Sequence, residues 1–323
     1  MRKVIFAVAF AALGNVSAMA QNWPTRPLTM VVPFSAGGSP DVFARILTPR
    51  LSELLGQQVI IENVAGAGGM TGASRVAKAA PDGYQLVLGS NGDIALSQTL
   101  FRNPPYNAAS DFAPVILIAE IPLILIARKD LPANDLQEFK AYVKVNQAKM
   151  QFGSAGAGTI AHLACILLST AFEVNVTHIP YRGGNQTIQD LITGQIDYMC
   201  PVVTLAIPQI EGNRVKAISI LTKDRSPILP NLASAHEQGL AEFDSAAWLG
   251  FFLPKNTPLS IVQKLNKATE AAMNTVSVQQ RLKEVGATVV TPGRRSPEYL
   301  QKFVVSEIEK WGAVIKAAGV TAQ

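Results

Sequence analysis

The chain has 323 residues, of which 48% are hydrophobic and 16% charged, and its formal net charge is +5 at pH 7. The small basic excess forms no Lys/Arg cluster with interleaved aromatic residues, which argues against nucleic-acid binding. About 300 residues exceed the size at which one hydrophobic core keeps growing, so we expect two domains.

The N-terminal residues follow the order of a secretory signal peptide. Arg2 and Lys3 precede an apolar run from Val4 to Leu13, and small residues then lead to Ala20. This order predicts cleavage after Ala20 and a periplasmic mature protein. No cysteine stands at the cleavage point, and no later apolar run reaches the roughly 20 residues needed to span a bilayer. We therefore expect neither a lipid anchor nor a transmembrane helix.

In the first part of the chain, short β-branched runs alternate with helical patterns. Residues 28–34 predict a strand, and residues 40–56 predict a helix with apolar spacing near 3.6. The next strand, helix and strand are predicted at 57–64, 68–80 and 84–90. Such alternation is typical of parallel strands joined by right-handed helical crossovers, and hence of the α/β class.

The rest of the chain continues the same alternation. Residues 119–130 are apolar throughout, which predicts one strand that is buried on both faces. Further strands are predicted at 150–156, 176–181, 196–203, 215–222 and 247–254, and helices at 159–170, 258–276 and 296–319.

Two predicted strands run into glycine-rich turns that precede helices, "SAGGSPD" and "SAGAGT". Gly37, Gly38, Gly156 and Gly158 lack a Cβ, which permits positive φ and close approach of a ligand to the backbone. Ligands of parallel sheets bind beyond the carboxyl ends of strands, and helix N-termini favour anions. Two such turns facing each other would hold an anion from both sides.

Neither turn matches a nucleotide-binding motif. A P-loop would end in Gly-Lys-Ser/Thr, and the fingerprint G-x-G-x-x-G fails because residue 71 is threonine. We therefore expect no nucleotide cofactor, and indeed no cofactor at all. A carboxylate is a smaller anion that neutral donors can hold, which makes it the preferred ligand group.

Cys165 and Cys200 are the two cysteines of the chain. In an oxidising compartment they can form a disulfide, but free buried thiols are an equally good interpretation of the sequence. Two cysteines are too few to bind a structural metal alone, so we expect no metal site.

Long landmarks along the chain resemble one family. They include "VVPFSAGGSPDVFAR", "ENVAGAGGMTGASRVAKAAPDGYQLVLGS", "FGSAGAGTIAHLACILL" and "VTHIPYRGGNQTIQDLITGQIDYM". The pattern is similar to the Bug solute-binding proteins, the periplasmic receptors of tripartite tricarboxylate transporters. The resemblance implies a type II-like periplasmic binding protein of the Venus flytrap kind. Its ligand cleft would lie between two α/β domains that two crossing hinge strands connect.

The resemblance also implies domain bounds and partners. Residues 21–121 and 249–323 would form domain 1, and residues 122–248 would form domain 2, with hinges near 121–127 and 248–253. The protein would be a monomer that captures a small carboxylate by domain closure and delivers it to the membrane components of the transporter.

Site residues can be carried over from the family onto both turns. They are Phe34, Ser35, Ala36, Gly37, Gly38 and Asp41 in the first turn, and Ser154, Ala155, Gly156, Gly158, Thr159 and His162 in the second. Asp41 and Thr159 have an alternative interpretation as helix caps. His162 has an alternative interpretation as a packed structural histidine.

Four further positions stand near strand ends. Ser90, Asn91 and Thr204 are expected to contact the far end of the ligand. For Tyr181, the sequence is compatible both with a side chain in the ligand cleft and with one packed in the core. Arg182 is a weaker candidate, because the family commonly directs that side chain to solvent.

The sequence departs from the family at Asn185, Gln186 and Thr187, and at Cys200 and Pro201. The sequence therefore leaves the identity of the ligand open, and the candidates are C4 to C6 di- and tricarboxylates, acidic amino acids and aromatic acids.

Two other functional classes compete with transport. A hydrolase would use Ser154 or Ser35 with His162, His178 or His236, but G-x-S-x-G and H-E-x-x-H are both absent from the sequence. We therefore expect no enzyme activity. A receptor that reports ligand to a membrane signalling system stays compatible with the sequence.

Overall fold

The computed structural model describes residues 23–181, 183–241 and 243–320. The predicted signal peptide, its cleavage site after Ala20 and Arg182 lie outside these residues. Two separate β-sheets, each flanked by helices, organise the described part of the chain.

Eleven strands are formed by the described residues. They are β1 (Leu28–Val32), β2 (Val59–Asn63), β3 (Gln85–Ser90), β4 (Phe112–Pro122), β5 (Ile124–Arg128), β6 (Gln151–Ser154), β7 (Thr177–Pro180), β8 (Tyr198–Met199), β9 (Val215–Ile220), β10 (Ala246–Pro254) and β11 (Thr288–Val289).

Ten α-helices accompany these strands in the same residues. They are α1 (Ser39–Leu55), α2 (Met70–Ala77), α3 (Ser97–Leu100), α4 (Leu136–Asn146), α5 (Ile160–Phe172), α6 (Gly184–Ile192), α7 (Val203–Glu211), α8 (Leu259–Met273), α9 (Val276–Glu284) and α10 (Pro297–Ala317). A π-helix (Asn91–Leu96) precedes α3, and 3₁₀ turns occur at Ala67–Gly69 and Pro292–Arg294.

The first sheet has the strand order β2-β1-β3-β10-β4-β11. Strand β1 is parallel to β2 and β3, whereas β10 is antiparallel to β3 and β4. In β1, Leu28, Met30, Val31 and Val32 are fully buried. Burial of consecutive residues on both faces is what a continuous apolar run in a parallel sheet predicts.

The second sheet has the order β7-β6-β8-β5-β9. Strand β6 is parallel to β7 and β8, and β5 is antiparallel to β8 and β9. The carboxyl ends of β1 and β6 lead directly into the two glycine-rich turns, so each sheet carries one of them at the edge where ligands of parallel sheets bind.

The predicted single strand at 119–130 is wrong. Strand β4 ends at Pro122 in the first sheet, and β5 begins at Ile124 in the second, so Leu123 carries the chain from one sheet to the other. Both strands are buried, and an apolar run without a polar interruption gives no sign of a change of sheet.

A second predicted strand differs in its bounds. Only Tyr198–Met199 of the predicted strand at 196–203 pairs in the sheet, and α7 already begins at Val203. Pro201 has no N–H to continue the strand, which accounts for the early end. Helix α9 was missed because only Val278 and Leu282 among its nine residues are buried, which leaves a weak apolar period.

The crossing between the sheets is held by three backbone hydrogen bonds. Leu123 N donates to Ser245 O at 3.1 Å, Leu221 N donates to Leu123 O at 2.8 Å, and Ser245 N donates to Leu221 O at 2.7 Å. Strand β10 joins the first sheet at Ala246, so the second crossing lies at Ser245, upstream of the predicted 248–253.

Cys165 and Cys200 form a disulfide with a Cα–Cα distance of 5.8 Å. Both residues are fully buried in the core of the second sheet, where the bond joins α5 to the segment after β8. The sequence was compatible with either a disulfide or two free buried thiols, and the structure contains the disulfide.

Candidate functional site

The first glycine-rich turn is built around the carboxylate of Asp41. Gly37 N donates to Asp41 Oδ2 at 2.8 Å, and Asn63 Nδ2 donates to Asp41 Oδ1 at 3.0 Å and to Phe34 O at 3.1 Å. Gly37 has φ +78°, a left-handed conformation that favours glycine. The turn is therefore fixed at both ends by side chains.

Asp41 is also paired with an arginine of the same helix. Arg45 Nε donates to Asp41 Oδ2 at 2.9 Å, and this bond, together with the bonds from Gly37 and Asn63, holds the pKa of the Asp41 carboxyl below its usual value. Because both oxygens accept hydrogen bonds within the turn, the capping interpretation of Asp41 is favoured over direct ligand contact.

The second turn uses its own side chains in the same way. Gly156 N donates to Ser154 Oγ at 3.2 Å, Ser154 Oγ donates to Gly156 O at 2.9 Å, and Gly158 N donates to His162 Nδ1 at 3.0 Å. Thr159 is the N-cap of α5, with Oγ1 donating to Gly156 O at 2.8 Å. The backbone of the turn is therefore fixed by hydrogen bonds to its own side chains.

Two histidines stack behind this second turn. The rings of His162 and His178 lie 3.8 Å apart, the ring of Phe152 stacks against both, and His178 Nε2 is 2.7 Å from Ser154 Oγ. The pKa of both imidazoles is lowered to about 4, by burial in each case and, for His162, also by a smaller effect of the neighbouring His178. Both rings are consequently neutral at pH 7, which lets His162 Nδ1 accept the Gly158 N–H.

Acid is expected to destabilise the folded protein through these two histidines. The folded pKa of about 4 lies below the ordinary histidine value of 6.5, so the unfolded chain binds more protons between these values. The free energy of unfolding should therefore fall as pH drops from 6.5 to 4, by on the order of a few kcal/mol. Urea unfolding across this range measures it. The fall should shrink in His178→Gln and persist in His236→Gln, since His236 is exposed; equal profiles would contradict the assignment.

Several backbone N–H groups of the turns are left for a ligand. Those of Ser35 and Ala36 in the first turn, and of Ala155 and Ala157 in the second, donate to no acceptor within the described residues. They lie next to the N-termini of α1 and α5, where partial positive charge gathers. Ser35, Ala36 and Ala155 are among the site residues predicted from the sequence, whereas Ala157 was missed.

The far-end candidates are held by hydrogen bonds of their own. Ser90 Oγ donates to Asp93 Oδ1 at 2.6 Å, and Asn91 Nδ2 donates to Ala246 O at 3.0 Å, where β10 begins. Both side chains are largely buried. Asn91 thereby connects the end of β3 to the crossing between the sheets.

The two domains face each other across a cavity of about 560 Å³. Gly37, Val42 and Phe43 line it from the first domain, and Asn185 and Thr204 line it from the second. The structure thus brings the first turn and Thr204 together, and it places one of the departures from the family pattern in the same cavity.

Tyr181 lies beside the second turn. Its hydroxyl donates to Asp190 Oδ2 at 2.8 Å, and its N–H donates to Ser154 O at 3.0 Å. A methyl group on Gly153 would come within 3.2 Å of its ring, so the ring packs against the strand that leads into the turn. This packing favours a supporting role for Tyr181.

Direct contacts also join the domains. A Cβ on Gly158, at φ +76°, would come within 2.9 Å of Leu100 in the first domain. Leu100 belongs to an apolar cluster with Leu163 of α5 and Trp311 of α10. The second turn therefore already lies against the first domain.

The arrangement does not resemble a hydrolase site. Ser154 is fully buried, its hydroxyl is shared between Gly156 and His178, and no carboxylate among the described side chains contacts either stacked imidazole. In the same residues, no group of three His, Cys, Asp or Glu could hold a metal ion, and no helix is long and apolar enough to cross a membrane.

Comparison with known proteins gives one family. The sequence profile of the tripartite tricarboxylate transporter family receptor matches residues 43–320. MatC from Rhodopseudomonas palustris, solved with bound malate, is 40% identical at a TM-score of 0.78, covering 91% of this chain and 100% of that one. The periplasmic binding protein BugD is 38% identical at 0.78, covering 93% and 100%. A further R. palustris protein, solved with adipate, is 33% identical at 0.81, covering 93% and 99%. These matches confirm the predicted fold, a two-sheet α/β periplasmic binding protein.

Proposed function

We propose a function from one premise, namely that the chain belongs to the family of tripartite tricarboxylate transporter receptors, which are periplasmic solute-binding proteins. The resemblance seen in the sequence is thereby confirmed. On this premise the chain is an extracytoplasmic receptor that binds a small carboxylate between its domains and delivers it to a tripartite transporter in the membrane. It acts as a monomer, without a cofactor and without catalysis, after cleavage behind Ala20.

The observation that supports this proposal most strongly is the pair of turns. Ser35 and Ala36 on one domain, and Ala155 and Ala157 on the other, offer unpaired N–H groups at the N-termini of two helices. Neutral donors in this position suit a carboxylate, and a dicarboxylate has one group for each turn. MatC and the adipate-bound relative were both solved with dicarboxylates.

Closure follows from the same geometry. A ligand that bridges both turns interacts better with the closed arrangement than with an open one, and only such a difference can shift the equilibrium. The crossings at Leu123 and Ser245 are the natural hinges, because the chain passes there between sheets. The closed form would then dock on the transporter.

A panel of acids and their amides tests the proposal. The mature protein, refolded to remove bound solute, would be unfolded thermally with malate, succinate, adipate, citrate, glutamate or nicotinate. A ligand at about 100 times its Kd adds about 2.7 kcal/mol to the free energy of unfolding. We expect a raised midpoint with at least one acid and none with its amide. An equal effect of acid and amide, or no effect of any acid, would contradict carboxylate capture.

Asp41 gives a sharper test of the first turn. In Asp41→Ala, Gly37 N and Asn63 Nδ2 lose their acceptor, so we expect the free energy of unfolding to fall by about 2 kcal/mol and carboxylate affinity to fall at least about tenfold. Titration calorimetry and urea unfolding measure the two effects. The matched control is Arg45→Ala, which removes a side chain that is 57% exposed and should leave affinity unchanged. Equal loss in both variants would mean that the turn does not depend on the carboxylate.

A further inference from the structure

A buried carboxyl group lies in the π-helix that follows β3, in contact with Ser90, which is expected to contact the ligand. Asp93 has no exposed surface. Its Oδ1 accepts hydrogen bonds from Ser90 N at 3.0 Å and from Ser90 Oγ at 2.6 Å. Its Oδ2 is buried and has no hydrogen-bond partner within the described residues. One carboxyl oxygen is therefore hydrogen-bonded to Ser90, and the other has no hydrogen-bond partner within the described residues.

This group packs directly behind the first turn. A Cβ on Gly69, which has φ +97°, would lie 2.9 Å from Asp93 Cβ and 3.1 Å from Phe34 Cζ. A Cβ on Gly92 would lie 3.6 Å from Ser90 Oγ and 3.7 Å from the same ring carbon. Glycine at position 69 thus lets Asp93 and Phe34 pack closely, and at Gly92 a Cβ would only be in ordinary van der Waals contact with Ser90 and the same ring.

No cation compensates a negative charge at Asp93 in the described residues. Tyr106 faces it and donates its hydroxyl to the Asp93 carbonyl, and burial together with the Asp93 charge raises the pKa of that phenol. Arg75 on α2, His162 on α5 and Glu307 on α10 belong to helices that contact the π-helix, but they make their hydrogen bonds with other partners. Burial accordingly raises the pKa of Asp93 to about 7, against the opposing effect of the Ser90 hydrogen bonds.

We propose that Asp93 makes carboxylate binding proton-linked, because its protonation state sets whether the Ser90 hydroxyl donates or accepts toward the ligand. This rests on the proposed function and on the expectation from the sequence that Ser90 contacts the far end of the carboxylate ligand. When Asp93 is ionised, the Ser90 hydroxyl hydrogen points to Oδ1, so only lone pairs of Ser90 remain for the cleft. A ligand carboxylate then meets an acceptor with a buried negative charge behind it.

Protonation of Asp93 reverses the direction of the hydrogen bond between Asp93 and the Ser90 hydroxyl. The acid O–H on Oδ1 donates to Ser90 Oγ, and the hydroxyl hydrogen of Ser90 becomes free to donate to a ligand oxygen. The buried charge disappears in the same step. A carboxylate is therefore bound together with one proton taken from solvent, and no other bond is made or broken.

The test is titration calorimetry of the mature protein with malate and with adipate, in buffers that differ in ionisation enthalpy. Affinity should fall about tenfold from pH 6 to pH 8, since the protonated fraction falls by about that factor around a pKa near 7. At pH 8, about one proton should be taken up for each ligand bound, and at pH 6 close to none. His162 and His178 stay neutral across this range and contribute no uptake.

The variant Asp93→Asn removes the titrating group with little change of shape. Its affinity should not change with pH between about pH 6 and pH 8, and its binding should take up no proton. If the variant fails to fold, proton uptake by the wild-type protein alone decides the question. Constant affinity without proton uptake in the wild type would overturn the proposal while leaving carboxylate binding intact. Absence of binding by both acids at every pH would overturn both, so the two failures are distinct.

Discussion

Replacing Glu307 with alanine is expected to lower the free energy of unfolding by about 4 kcal/mol, because two buried indole N–H groups each lose their acceptor at about 1 to 3 kcal/mol. Glu307 Oε2 accepts from Trp248 Nε1 and from Trp311 Nε1, both at 2.9 Å, and the glutamate is only 6% exposed. Urea unfolding followed by tryptophan fluorescence measures the loss.

The position of Glu307 gives this change a consequence beyond stability. Trp248 lies in β10, three residues after the crossing at Ser245, and Trp311 packs against Leu163 of the second domain. The carboxylate therefore connects the hinge to the apolar contact between the domains. We expect Glu307→Ala to weaken carboxylate binding as well, because the closed arrangement loses part of its support.

Two variants separate the hydrogen bonds from the loss of side-chain volume. Glu307→Gln keeps a carbonyl oxygen that can accept from both indoles, so it should recover most of the lost stability. Glu309→Ala removes a glutamate from the exposed face of the same helix and should change the free energy of unfolding by less than about 0.5 kcal/mol. Equal destabilisation by the alanine and glutamine variants would show that the indole bonds contribute little.

The glycine-rich turns could be predicted from the sequence because they are local. A buried strand, a few small residues and a helical period follow each other within about ten positions, and chain connectivity alone then places the turn at a strand end. What sequence could not give is which N–H groups stay free. Gly37 donates to Asp41 and Gly158 donates to His162, and both pairings depend on side-chain directions that a spacing of four residues only permits.

The passage from one sheet to the other was missed for a different reason. Leu123 is as buried as its neighbours on either side, so hydrophobicity is constant while the hydrogen-bonding partners change. Asp93 was missed because the sequence shows only an aspartate three residues after a strand end, and its capping box with Ser90 is a common local arrangement. Its burial and the unsatisfied Oδ2 arise only when Phe34, Gly69 and Tyr106 close around it.

Removal of the disulfide is expected to have an effect as large as that of Glu307→Ala. Cys165 and Cys200 are separated by 35 residues, and closing a loop of this length reduces the entropy of the unfolded chain by an amount equivalent to about 4 kcal/mol. Cys165→Ala/Cys200→Ala should lose this stabilisation, together with a smaller contribution from the two vacated sulfur positions in a fully buried core. Urea unfolding of the oxidised and the double-alanine proteins compares them directly.

Reductant provides the matched control, since it breaks the bond without removing sulfur. Reduced wild type should unfold at a urea midpoint near that of the double variant, and the double variant should not respond to reductant at all. Because Cys165 lies one turn after His162 in α5, loss of the bond also loosens the helix whose N-terminus forms the second turn. Carboxylate affinity should therefore fall along with stability. An unchanged midpoint after complete reduction would mean that packing of α5 on the sheet, without the covalent link, already determines the stability of this domain.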